Sequence, residues 1–73
     1  MPAFDERLKE LRKTHGLTQK QLATETNLSE RGVQNYEISK RKPEYDSLIA
    51  LADYFDVSLD YLVGRSSSPE RLP

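Results

Sequence analysis

The stretch that decides the fold runs from residue 18 to residue 38 and reads TQKQLATETNLSERGVQNYEI. Thr18 and Gln21 stand in the spacing of a capping box, in which each side chain bonds to the other residue's backbone N–H at the start of a helix. Asn27 tolerates the left-handed conformation that ends a helix, and Ser29 is a preferred N-cap residue. The stretch therefore predicts two short helices joined by a tight turn.

The second helix of this pair, predicted over residues 30–38, has an apolar side and a polar side. Its apolar positions, Val33 and Tyr36, are three residues apart and should face inward. The opposite side carries four polar residues, Glu30, Arg31, Gln34 and Asn35. Such a helix could enter a major groove, where Arg suits guanine and Asn or Gln suits adenine. An ordinary solvated helix face is the alternative when polarity is considered alone.

Length and composition narrow the class of protein. A chain of 73 residues without cysteine predicts one small domain that its core alone stabilises, without disulfides, thiolate metal sites or a cofactor. No apolar run approaches the roughly 20 residues that span a membrane, and no signal peptide is visible, which favours a cytoplasmic protein. An enzyme is disfavoured, because the chain has no Gly-rich phosphate loop, no His-x-x-x-His pair and no base to activate a serine.

The net charge of −1 is unevenly distributed along the chain. Residues 1–42 carry nine Lys and Arg against six Asp and Glu, a net charge of +3, whereas residues 43–73 carry two against six, a net charge of −4. The local field governs the choice of partner more than the total does. Lys40, Arg41 and Lys42 directly follow the second helix, and this position favours contact with DNA phosphates over a merely solvated loop.

Three further helices are predicted outside the opening stretch. Phe4, Leu8 and Leu11 recur at helical spacing over residues 4–15, and a helix over residues 59–63 follows Ser58 as its cap. A wide apolar stripe indicates a central packing helix over residues 44–55, formed by Tyr45, Leu48, Ile49, Leu51, Ala52 and Phe55. Residues 65–73 have no apolar periodicity, which predicts a flexible tail or the start of a linker.

The helix phases predict an all-α domain with a single core. The predicted core residues are Leu8, Leu11, Leu22, Leu28, Val33, Tyr36, Leu48, Leu51, Ala52, Phe55 and Leu62.

Six sequence blocks in order make the chain resemble the Cro/repressor-type (XRE) helix-turn-helix family. They are RLKELR (7–12), GLTQKQLA (16–23), LSERGVQNYE (28–37), KRKP (40–43), LIALA (48–52) and VSLDYLVG (57–64). The resemblance implies a five-helix, lambda-repressor-like DNA-binding domain over residues 4–64. Asn27 and Ser39 depart from the family pattern, since each replaces a common glycine.

The resemblance also implies roles for individual residues. Positions that contact the DNA backbone are matched by Thr18, Gln19, Lys40, Arg41 and Lys42. Gln19 also buttresses the reading helix. Base-facing positions are matched by Glu30, Arg31 and Asn35, with Gln34 beside them. Arg12 and Glu37 match a largely buried ion pair between the first and third helices.

Together these observations predict a sequence-specific, double-stranded DNA-binding transcriptional regulator, a repressor. One reading helix covers only a few base pairs, so we expect a homodimer on a palindromic operator, with half-sites about 34 Å apart. Tyr61 and Val63 are the candidate dimer contacts, and the alternative is that both pack within the domain. The alternative function is a protein-interaction module, such as an antitoxin that also binds its own operator.

Overall fold

The computed structural model describes residues 3–71, which form five helices. They are α1 (Phe4–Thr14), α2 (Gln19–Thr26), α3 (Glu30–Glu37), α4 (Tyr45–Phe55) and α5 (Leu59–Leu62). No strand occurs in that range, and none of its helices is both long and apolar enough to traverse a bilayer. The predicted all-α, five-helix fold is confirmed, and the predicted ends of α1, α3, α4 and α5 lie within one residue of those observed.

The helix ends follow the local sequence signals. The capping box is complete, because Gln21 N donates to Thr18 Oγ1 at 3.0 Å and Thr18 N donates to Gln21 Oε1 at 2.8 Å. Asn27 has a φ of 59°, in the left-handed region, and ends α2. Ser29 Oγ then accepts from Gly32 N at 2.9 Å and caps α3. A single residue, Leu28, separates these two caps, so α2 and α3 lie close together.

The core lies where the five helices meet. The buried apolar residues are Leu8, Leu11, Leu22, Ala23, Val33, Tyr36, Leu51, Ala52, Phe55, Val57 and Leu62. Leu28 and Leu48, which the helix phases also place in the core, are half-buried and pack against its edge. The main packing partners of α3 are α1 and α2, whereas those of α4 are α2 and α5. The reading-helix candidate α3 is therefore held from behind by the first two helices.

Tyr45 does not belong to the apolar stripe of α4, and that part of the prediction is wrong. Its side chain is 73% exposed. Tyr45 is the first residue of α4, and side chains on a helix tilt toward its N-terminus, so the ring extends beyond the edge of the core. The stripe begins instead at Leu48.

Residues 65–71 contain no helix or strand and return to the corner between α4 and α5. Ser58 N donates to the carbonyl of Pro69 at 2.9 Å. Arg71 forms ion pairs with Asp53 at 2.5 Å and with Asp56 at 3.4 Å, and its hydrogen bond to Asp53 raises its pKa. Residues 72 and 73, the end of the predicted tail, lie outside the described residues.

Candidate nucleic-acid interface

The outer side of α3 is polar and accessible. Val33, Tyr36 and Glu37 are buried and fix which side of the helix faces the core. Of the four predicted reading residues, Glu30, Arg31 and Gln34 are exposed and Asn35 is half-buried. Because a helical turn contains about 3.6 residues, these four side chains lie within about 140° of the helix circumference. The structure therefore brings the four predicted reading residues together on one surface.

A buried ion pair holds α3 against α1. Arg12 Nε donates to Glu37 Oε2 at 2.6 Å, and Arg12 Nη2 donates to Glu37 Oε1 at 3.0 Å. The Glu37 side chain is only 1% exposed and that of Arg12 is 13% exposed. The hydrogen bond that Arg12 donates to Glu37 raises the pKa of Arg12, against the opposing effect of burial. This is the pair that the family resemblance implies, and it anchors the C-terminal end of α3.

Gln19 joins the start of α2 to the same carboxylate. Its Nε2 donates to Glu37 Oε1 at 3.2 Å, while Arg12 Nη1 donates to the carbonyl of Leu17 at 2.8 Å. Thr18, the N-cap of α2, is exposed beside Gln19. The ion pair thus orients the first residues of α2 relative to α3, and the two backbone-contact candidates on α2 lie next to the reading helix.

The cationic loop, residues 38–44, is built onto the end of α3. Ser39 has a φ of 59°, so it adopts the left-handed conformation that a glycine usually supplies at this place. Lys40 N and Arg41 N both donate to the carbonyl of Asn35, at 2.9 and 3.3 Å, and Ser39 N donates to the carbonyl of Tyr36 at 3.3 Å. This Schellman-type end places the loop cations directly beside the outer side of α3.

The three cations of the loop are exposed. Arg41 forms an ion pair with Glu44 at 2.9 Å, with side chains 59% and 68% exposed. Within residues 3–71, Lys40 and Lys42 form no such pair. An exposed ion pair of this kind is weak, so the charge of Arg41 remains available to a phosphate.

Two buried polar features of this region are absent from the sequence prediction. Tyr36 Oη donates to Ser47 Oγ at 3.2 Å and links α3 to α4 across the cationic loop. Arg7 is only 4% exposed and lies over the Tyr61 ring, with its Cζ 3.6 Å from the ring centroid. The spacing of Arg7 from Phe4 and Leu11, three and four residues away, is a signal that places it on the apolar side of α1.

The candidate dimer residues both have intramolecular contacts. One face of the Tyr61 ring is covered by Arg7, and Val63 lines a groove of about 410 Å³ that also contains Phe4 and Leu48. Each nevertheless remains half-exposed, and the neighbouring Leu59 is 39% exposed. The end of α5 therefore has both internal packing and apolar surface left open.

The helices α2 and α3 are short and are joined by a tight turn, and α3 is polar on its outer side and packs on α1 with its inner side. This arrangement defines a helix-turn-helix domain. A family model described as helix-turn-helix matches residues 8–62, and the chain belongs to that family, in its Cro/repressor (XRE) type.

Known proteins similar to this chain include regulators and repressors. The uncharacterized HTH-type transcriptional regulator YobD of Bacillus subtilis (strain 168) is 40% identical over 67 residues, covering 92% of this chain and 60% of that protein. A transcriptional regulator from Listeria innocua aligns with a TM-score of 0.78 at 44% identity, covering 84% of this chain and 57% of that chain. The P22 c2 repressor, in a crystal structure with synthetic operator 9T, aligns with a TM-score of 0.83 at 26% identity, covering 90% of this chain and all of that chain.

The chain is shorter than the curated relatives that it matches. It spans between 50% and 60% of the length of three such regulators from Bacillus subtilis.

Proposed function

We propose that this chain binds double-stranded DNA at specific sequences and regulates transcription as a repressor. The observation that carries the proposal is the exposed polar outer side of α3, with the cationic loop bonded to its C-terminal end and the start of α2 bonded to Glu37. A helix of this kind fits a major groove, and flanking cations suit the phosphates on either side. The P22 c2 repressor supports the proposal, because a domain of the same fold was solved with a synthetic operator.

Base readout is assigned to the exposed residues of α3. Arg31 can donate two hydrogen bonds to guanine O6 and N7, and Asn35 can bond to adenine N6 and N7. Gln34 lies beside them and has the same preference as Asn35. Glu30 carries a charge that phosphates repel, so it either accepts from a cytosine amino group or lies at the rim of the contact.

Backbone contact is assigned to the residues that flank α3. They are Thr18, Gln19, Lys40, Arg41 and Lys42. The three cations supply attraction that is independent of sequence and sensitive to salt. The hydroxyl of Thr18 and the amide of Gln19 are neutral groups of the kind that fix the register of a protein on the duplex.

The test begins with selection of bound sequences from a random duplex pool by the whole chain. Against a selected duplex, Arg31→Ala should cost about 1–3 kcal/mol of binding free energy and relax the preference at one base step. Lys40→Ala should weaken binding to all duplexes alike and reduce the slope of log K against log salt by about 0.9.

Lys9 provides the matched control, because it is exposed on α1 between Glu6 and Glu10. Lys9→Ala should leave the base preference and the salt slope unchanged. Selection that enriches no sequence would refute specific binding, and exchanged behaviour of the Arg31 and Lys40 variants would refute the assignment of roles.

We further propose that two copies bind a palindromic operator as a homodimer. The half-exposed apolar residues at the end of α5, Tyr61 and Val63, are the proposed contacts. So small a patch should associate weakly in solution and tightly on DNA, where the duplex holds both copies close together. Sedimentation should show mainly monomer without DNA and two copies on a duplex with two half-sites about 34 Å apart. A stable complex of one copy on that duplex would refute the dimer.

A further inference from the structure

One buried side-chain hydrogen bond spans the cationic loop. Tyr36 lies in the last turn of α3 and Ser47 in the first turn of α4, so the loop runs between them. Tyr36 Oη donates to Ser47 Oγ at 3.2 Å, and the two residues are only 5% and 8% exposed. Both hydroxyl groups are therefore withdrawn from water at a place that lies directly beneath the proposed phosphate contacts.

The bond between Tyr36 and Ser47 connects two helices, α3 and α4, that are not main packing partners of each other. The main packing partners of α3 are α1 and α2, and those of α4 are α2 and α5. The Tyr36 ring lines a groove together with Arg41, Lys42 and Pro43, so it lies under the loop. Phe4 packs edge-on against the ring at a centroid distance of 6.0 Å and restricts its orientation. The ring is thus a rigid connection from α3, under the loop, to α4.

The start of the loop is already fixed to α3 by other bonds. Lys40 N and Arg41 N donate to the carbonyl of Asn35, so the backbone of these two residues has a fixed position relative to α3. Lys42 and Pro43 come next and connect to α4 instead. The position of this second half of the loop relative to the reading helix therefore depends on how α4 is held against α3.

We infer that Tyr36 and Ser47 are positioning residues for DNA recognition. Their hydrogen bond sets the place of α4, and with it the second half of the cationic loop, relative to α3. Base contacts from α3 and phosphate contacts from the loop can then form in one docked geometry. The inference rests on the proposed DNA binding, and it predicts that loss of the bond weakens a phosphate contact while the domain stays folded.

The experiment compares Tyr36→Phe, Ser47→Ala and the double variant in the whole chain. The probes are a mixed-sequence duplex and a duplex that the wild-type protein selects from a random pool. Losing one phosphate contact lowers the salt slope by about 0.9, so the affinity deficit at about 50 mM salt should exceed that at 200 mM by about threefold. The double variant should bind no more weakly than either single variant, because each change removes the same bond.

Thr26→Val is the matched control for stability. Thr26 is also 8% exposed, and its Oγ1 donates to the carbonyl of Leu22 at 2.7 Å, away from the loop. Each variant should melt about 4–8 °C lower for a lost buried hydrogen bond, yet stay folded at 20 °C. The control should keep wild-type affinity and salt slope.

The outcomes separate this inference from the proposed function. If the Tyr36 and Ser47 variants match Thr26→Val in affinity and salt slope while the wild-type protein binds DNA, the positioning role is overturned and the proposed function stands. If the wild-type protein binds neither duplex, both are overturned.

Discussion

The Glu37→Gln variant should lose about 3 kcal/mol of unfolding free energy, because the Glu37 carboxylate is the center of a buried network. It accepts from Arg12 Nε at 2.6 Å, from Arg12 Nη2 at 3.0 Å and from Gln19 Nε2 at 3.2 Å. A glutamine amide keeps the shape but turns one acceptor oxygen into an NH₂ group that faces these donors. The Arg12 charge then keeps two neutral acceptors, the remaining amide oxygen and the Leu17 carbonyl at 2.8 Å, but no partner of opposite charge.

The magnitude follows from the burial of the two partners. Removing one partner of a fully buried ion pair costs about 3–5 kcal/mol. The Arg12 side chain is 13% exposed and can regain some hydration, which favours the lower end of that range. A domain of this size has about 4–11 kcal/mol of stability in total. A loss of 3 kcal/mol should lower the Tm by about 12–24 °C.

Thermal unfolding of Glu37→Gln beside Glu44→Gln tests the reasoning with a matched substitution. Glu44 also pairs with an arginine, at 2.9 Å from Arg41, but both side chains of that pair are more than half exposed. An exposed pair contributes about 0–1 kcal/mol, so Glu44→Gln should change stability little. Equal melting temperatures for the two variants would refute the claim that burial makes the Arg12–Glu37 pair important.

A double-mutant cycle completes the test. Arg12→Met leaves the Glu37 carboxylate buried without its cation, whereas Arg12→Met combined with Glu37→Gln leaves no buried charge at this place. The double variant should therefore be more stable than the sum of the two single losses predicts, by about 2 kcal/mol. Strict additivity would show that the two side chains do not stabilise each other.

Two further predictions concern strain and buried charge. Ser39 has a φ of 59°, and a serine in this left-handed conformation costs about 1–2 kcal/mol. Ser39→Gly removes this strain, but glycine's greater backbone entropy in the unfolded chain offsets about 0.5–1 kcal/mol of the gain, so the Tm should rise slightly. An unchanged or lower Tm would show that Ser39 is not strained. Within residues 3–71, Arg7 Nε and Nη1 are buried without an acceptor, and the stacking of the guanidinium on Tyr61 offsets the cost of this desolvation. Arg7→Met removes both effects, so it should change the free energy of unfolding in guanidinium chloride by less than about 1 kcal/mol. A loss above about 2 kcal/mol would show that the guanidinium has a hydrogen-bond partner.

The features predicted from sequence are those that depend on neighbouring residues. The capping box at Thr18 and the caps at Ser29 and Ser58 involve residues three apart, and all are present. The burial of Val33 and Leu51 follows from helical periodicity, because the period fixes which side of each helix is apolar. Local rules of this kind decide most of the fold of a small helical domain.

The features that sequence did not predict depend on where an element ends or what lies across the domain. Tyr45 fits the period of α4, but it stands at the helix end, where the core no longer covers it. The bond between Tyr36 and Ser47 joins two separately predicted helices, and no local rule pairs them. Ser58 N meets the Pro69 carbonyl only because residues 65–71 turn back, which composition does not encode.

The contacts that hold α3 in place are made by its last three residues, Asn35, Tyr36 and Glu37. The Asn35 carbonyl holds the cationic loop, Tyr36 reaches α4, and Glu37 binds α1 and α2 through Arg12 and Gln19. Successive side chains on a helix point about 100° apart, so Tyr36 and Glu37 hold α3 from two directions, while the Asn35 carbonyl points along the helix axis and holds the loop at its end.

The other three proposed reading residues of α3 do not take part in holding the helix in place. Within residues 3–71, the side chains of Glu30, Arg31 and Gln34 form no hydrogen bond. Substitutions at exposed positions without such contacts usually change stability by less than about 0.5 kcal/mol. The proposed sequence preference can therefore change at these three positions while the end of α3 keeps the helix, the loop and the start of α2 in one geometry.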